Sequence, residues 1–161
     1  MALAGSAGAD VSPTQRALAR ELFQQGRALM AKKDYVKACA KLAESQRIDP
    51  ATGTLLNLAV CHEAEGKTAS AWAEFNDALS LSRQDGRKDR VELATKHIAN
   101  LEPRLSRLTI DVPPDARVAG LEIKLDDGRV GRTAWGTAVP VDPGTHTVRA
   151  LAAGWKEWQT E

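Results

Sequence analysis

Apolar positions recur every three or four residues from Gln15 to about residue 102, and every second residue from Leu105 onward. The first spacing is that of helices buried along one stripe, and the second is that of strands with one covered face. The pattern predicts helices over 14–31, 34–48, 52–65, 68–83 and 87–102, the last with Val91, Ala94, Ile98 and Leu101 on one stripe. Beyond residue 105, Leu108, Ile110 and Val112 alternate with Thr109 and Asp111, and Leu121, Ile123 and Leu125 alternate with Glu122 and Lys124. Asp126-Asp127-Gly128 then supplies a hairpin turn, and Val139, Val141 and the run 145–150 continue the alternation. The predicted fold class is therefore mixed, with an all-helical part over 14–104 followed by a small antiparallel β-sandwich-like module over 105–161.

The helical part repeats itself. Leu22, Gly26, Leu29, Ala38, Leu42 and Ser45 return 33 residues later as Leu55, Ala59, His62, Ala71, Phe75 and Ala78, with side-chain size kept at nearly every position. A period of this length in helical sequence means stacked helical pairs, because one pair cannot bury its apolar face alone. Small residues at 26, 38, 59 and 71 allow two helices to approach closely, and Leu and Phe fill the space beside them. Lys33-Asp34 and Gly66-Lys67 supply turns, and Asp49-Pro50 closes the first pair.

These residues resemble the tetratricopeptide repeat (TPR) family. In the first repeat Leu22, Gly26, Leu29, Ala38, Leu42, Ser45 and Pro50 fall on its pattern; in the second, Leu55, Leu58, Ala59, Gly66, Ala71, Phe75 and Ala78 do, with Arg83 in place of the closing proline. The fifth helix then caps the array. The resemblance implies a non-catalytic scaffold or adaptor that holds a peptide or helix on the concave face of its first-of-pair helices, with room for self-association. Counted from the repeat register, that face carries Arg20, Phe23, Arg27 and Met30, then Leu56, Val60 and Glu63; the alternative is that the last helix, or the chain from Arg107 onward, folds back and covers it. The family's carboxylate-clamp members use Lys and Asn where Phe23, Arg27, Leu56 and Val60 stand, so the resemblance does not extend to chaperone-tail binding.

The second half resembles the PEGA domain, a short β-module of bacterial envelope proteins. The matching stretches are Ile110 to Pro114, the strand and turn through Gly131, Val141-Asp-Pro-Gly-Thr-His-Thr-Val148, and Gly154-Trp155; Pro114-Asp115-Ala116 stands near the place of the namesake tetrapeptide. Against that family the module reads as truncated. The resemblance implies a bacterial periplasmic or envelope setting, with the cytoplasm as the setting if no signal peptide lies upstream. Residues 1–13, with Ala7-Gly8-Ala9 in the small-x-small form that signal peptidases accept, read as a signal-peptide remnant or a disordered N-terminus. The alternative function is an accessory domain that binds cell-wall or surface glycan through the β-module.

Charge changes this picture little. Among 161 residues, 22 basic side chains meet 21 acidic ones, so nothing draws the chain to nucleic acid or an anionic membrane. No apolar run reaches the roughly 20 residues that span a bilayer. Lys33, Lys37 and Lys41 read as a solvated helix face.

Chemistry is sparse as well. Gly128-Arg129-Val130-Gly131 precedes no helix that could receive a phosphate, and His62, His97 and His146 fall in separate elements without metal-ligand spacing. His62 reads as a packed core histidine, and Trp135, Trp155 and Trp158 as core or former core. The expectation is no enzyme, no cofactor and no metal. Cys39 and Cys61 stand equally far on either side of Pro50, at the same height in neighbouring antiparallel helices. Helix axes about 8–10 Å apart allow their thiols to meet, and the two readings are a disulfide in an oxidising compartment or two separately buried small hydrophobes.

Overall fold

The structure, a computed structural model, describes residues 11–161. The described residues divide into two compact units, residues 11–104 and residues 105–161.

The first unit is a run of five helices: α1 (Pro13–Ala31), α2 (Tyr35–Ile48), α3 (Thr52–Glu65), α4 (Thr68–Gln84) and α5 (Lys88–Leu101). Each packs against the next in sequence, which is the geometry expected when short turns connect helices that each have one apolar stripe. The segment expected to stay outside the helices, 1–13, is corrected at its end. The Ser12 side chain accepts from the Gln15 backbone amide, Gln15 Oε1 accepts from the Ser12 amide, and Pro13 opens the first turn, a reciprocal cap that starts α1. The rest of that segment, 1–10, lies outside the described residues. Gly66 ends α3 with φ 90°, a conformation that costs glycine little.

Burial follows the repeat. Gly26 and Ala59 are buried, as are Ala38 and Ala71, Leu42 and Phe75, and Ser45 and Ala78; Leu22 and Leu55, like Leu29 and His62, are half-buried. At Gly26 a Cβ would stand 2.7 Å from Leu42 Cγ, so glycine sets how closely α1 meets α2. Ser45 keeps its hydroxyl satisfied by donating to the Ala19 carbonyl at 2.8 Å. Two core clusters result. One holds Ala38, Cys39, Leu42, Leu58 and Cys61, the other Leu56, Ala59, Ala71, Phe75, Ala78, Ala94 and Leu101.

The second unit has β1 (Ser106–Thr109), β2 (Glu122–Leu125), β3 (Gly128–Val130), β4 (Ala138–Val141), β5 (Val148–Leu151) and β6 (Trp158–Thr160). They form two antiparallel sheets, β1-β4 and β3-β2-β5-β6. Ile110 and Val112, expected to extend the first strand, lie beyond β1, because Pro113 and Pro114 follow and lead into a 3-10 turn at Pro114–Ala116. Leu125 pairs with Gly128 across the turn at Asp126-Asp127, and Asp126 takes φ 52° there. Pro140 lies opposite Arg107 in the edge strand β4, where a missing N–H leaves no gap in a ladder. Val112 and Ile123 are the module's buried apolar side chains.

Candidate functional site

The repeat register assigned one face of α1 and α3 to a partner, and the structure distributes those residues unevenly. Arg20 and Arg27 are exposed, and Phe23 and Met30 are half-buried against the first core cluster. The Arg27 guanidinium lies 5.9 Å from the centre of the Phe23 ring, near enough for the cation to stiffen the aromatic surface. Arg20 and Phe23 also line a recess of about 150 Å³ with Arg16, Asp49 and Thr54. Val60 is half-buried on the second cluster.

Leu56 is corrected. It is 5 % exposed and belongs to the core cluster that contains Ala94 and Leu101 of α5. Glu63 is engaged too, because its Oε2 bonds His97 Nδ1 of α5. The fifth helix therefore closes part of the face that counting along the repeat left open, and the open strip consists of Arg20, Phe23, Arg27, Met30 and Val60.

Cys39 of α2 and Cys61 of α3 form a disulfide, with Cα atoms 5.6 Å apart. The sulfurs lie in the first core cluster, away from solvent. Next to them the structure brings together groups that the sequence spacing did not suggest. Cys39 Sγ, a ring nitrogen of His62 and a carboxylate oxygen of Glu65 all lie within 4.8 Å of one another. His62 Nδ1 bonds both carboxylate oxygens of Glu74 on α4, each at 2.9 Å. The signal was present in Cys61-His62-x-x-Glu65, where positions 62 and 65 share a helix face, but Cys39 joins it only through tertiary packing.

In the β-module, the two sheets face each other across an apolar cleft of about 500 Å³ whose walls include Leu108 and Ile110 on one side and Ile123, Val148, Ala150 and Trp158 on the other. Trp155 and Trp158 are 67 % and 55 % exposed. At one end His146 joins two turns: its Nδ1 meets Asp126 Oδ2 at 2.8 Å and its Nε2 meets the Asp142 carbonyl at 2.7 Å. The Thr147 amide donates to Asp126 Oδ1 at 3.0 Å. Both ring nitrogens face acceptors, which suits the doubly protonated imidazolium. The hydrogen bond to Asp126, followed by that to the Asp142 carbonyl, raises the His146 pKa above its ordinary 6.5. The bond from His146, then the Thr147 amide, lowers Asp126 below its ordinary 3.8.

The folded state therefore holds the His146 proton more tightly than the unfolded chain does. That stabilisation is complete below the ordinary histidine value and is lost as pH rises through the raised one, while the Asp126 contribution is lost as pH falls through its lowered value. The urea midpoint of this unit, followed by tryptophan emission, is expected to fall as pH rises from the ordinary histidine value of 6.5 through the raised one. In His146→Gln that fall is expected to vanish. An unchanged slope in the variant would remove the histidine from this role.

Among the described residues no helix is long and apolar enough to cross a membrane. Comparison with family models, with curated proteins and with solved structures finds no match.

Proposed function

We propose that the chain is a non-catalytic scaffold of the TPR kind, which holds a protein or peptide partner on the open strip of α1 and α3 and carries a PEGA-like β-module, in the bacterial periplasm or envelope. The observation that carries this reading is the repetition of burial with the sequence period: the same positions are covered in both helical pairs. An array built that way spends its small and large residues on internal stacking, and leaves a continuous lateral surface for another molecule. Phe23, Met30 and Val60 supply apolar contact there, and Arg20 and Arg27 supply donors suited to an acidic peptide or helix. The Cys39–Cys61 disulfide supports an oxidising compartment.

Site-specific photocrosslinking in the producing cell tests the reading. A crosslinker at position 20 or 27 is expected to give one discrete adduct, and one at exposed Ala40 or Ala43 of α2 none. The adduct is expected to disappear when Phe23→Ala accompanies the crosslinker at 27. Equal labelling from both faces would sink the assignment.

A second reading, glycan binding through the β-module, is favoured by one feature. Exposed Trp155 lines a shallow recess of about 250 Å³ together with Glu122 and Glu157, and a ring beside carboxylate acceptors is a pairing that can hold a sugar. A change in tryptophan emission on adding soluble cell-wall fragments, absent in Trp155→Ala, would put this reading first.

A further inference from the structure

We propose that Cys39, Cys61, His62 and Glu65 form a zinc site in the reduced protein, so that a metal ion can take the place of the disulfide as the link between α2 and α3. Three of the four donor atoms are already gathered, and the fourth is bonded to one of them. Cys39 Sγ, a His62 nitrogen and a Glu65 carboxylate oxygen lie within 4.8 Å of one another, and Cys61 Sγ is bonded to Cys39 Sγ. Two thiolates, an imidazole and a carboxylate make a four-coordinate set of the kind Zn²⁺ accepts, and the thiolates select against Mg²⁺ and Ca²⁺.

Three observations besides proximity point to a ligand. Glu74 holds His62 at Nδ1, so the ring's proton lies on that nitrogen and Nε2 is the one that offers a lone pair. A carboxylate behind a histidine in this manner fixes the tautomer and the ring orientation of a metal-binding imidazole. Glu65 Oε2 is buried and accepts no hydrogen bond. Lys67 Nζ stands 3.1 Å from it but out of hydrogen-bonding direction, so the oxygen keeps an ion-pair partner and an unused lone pair. Finally, His62 and Glu65 are half-buried beside two buried sulfurs, a setting in which metal–ligand bonds meet little competition from water.

The chemistry closes on both steps. A dithiol reduces the bond by exchange: one of its sulfurs attacks a cysteine sulfur, the Cys39–Cys61 bond breaks, and the reductant's second sulfur closes its own disulfide. Two electrons and two protons pass to the cysteines as thiols. Zn²⁺ then replaces the two thiol protons, which leave to solvent, and two Zn–S bonds form.

The full chain, reduced with excess dithiol and desalted under argon, tests this with Co²⁺ and then Zn²⁺. The expected result is one equivalent of Co²⁺ with a thiolate-to-cobalt charge-transfer band and tetrahedral ligand-field bands, all removed by Zn²⁺, and no such bands in the oxidised protein. His62→Ala and Glu65→Ala are expected to weaken the site, and Glu74→Gln to cost about 10–100-fold in affinity. Circular dichroism reads the fold in parallel, and helical signal is expected to be kept on reduction or restored by Zn²⁺. Absence of the charge-transfer band overturns the proposal. So does a band unchanged in the His62 and Glu65 variants, equal affinity in the oxidised protein, or helix lost on reduction that Zn²⁺ does not restore. None of these outcomes depends on whether the α1 and α3 strip holds a partner.

Discussion

Phe75→Ala is expected to lower the melting temperature of the helical unit by about 12–40 °C. The ring is 0 % exposed and lies stacked on the His97 imidazole, with centroids 4.5 Å apart and planes 14° from parallel. Four of its companions in the core cluster are Ala59, Ala71, Ala78 and Ala94. An alanine cannot swing into a vacated space, because its only side-chain atom is fixed to the backbone, so the hole left by the ring stays open. Truncating a buried Phe costs about 3–5 kcal/mol, and each kcal/mol shifts the midpoint of a domain this size by about 4–8 °C. Phe75→Leu refills much of the volume and is expected to lose less than half as much. The far-ultraviolet signal at the helical minimum checks both. A shift of only a few degrees in Phe75→Ala would mean that the helices are not organised around this side chain.

The second large effect concerns the bond between α2 and α3. Its cysteines are 22 residues apart, and opening a closed loop of that length returns enough freedom to the unfolded chain to cost about 3 kcal/mol. Cys39→Ala with Cys61→Ala is expected to lose at least that much, because Cys61 is fully buried and Cys39 nearly so, and the missing sulfurs leave two small voids. Urea denaturation of the oxidised protein and of the double variant, both free of metal, measures the difference. Equal midpoints would show that the bond constrains nothing the packing does not already hold.

The helices were legible in the sequence for a physical reason. Close packing of one helix on the next demands a small residue at Gly26 and again at Ala59, and a bulky one at Leu42 and again at Phe75, so the repeated geometry leaves a repeated trace. The position of Leu56 was not legible. It is the repeat equivalent of half-buried Phe23, yet it lies in the core cluster that also holds Phe75 of α4 and Ala94 and Leu101 of α5. Counting along one repeat gives both positions the same face and does not show which of them the neighbouring helices cover. The surroundings of His62 were hidden for a related reason, since Glu74 and Cys39 come from two other helices. In the β-module, alternation shows which residues share a face of a strand. It does not show that residues of the two sheets line one cleft, with Ile123 in its wall.

A stack of helical pairs in which each element touches mainly its neighbours tends to unravel from its ends, since the outermost pair has one side with nothing to lean on. The bond from Cys39 to Cys61 joins the first pair to the second rather than closing either one on itself. It therefore suppresses peeling at the N-terminal end and leaves the α5 end as the direction from which the array opens. Amide exchange along the chain is expected to follow that polarity, slowest around the two sulfurs and faster toward Lys88–Leu101. Cleaving one covalent bond removes the asymmetry.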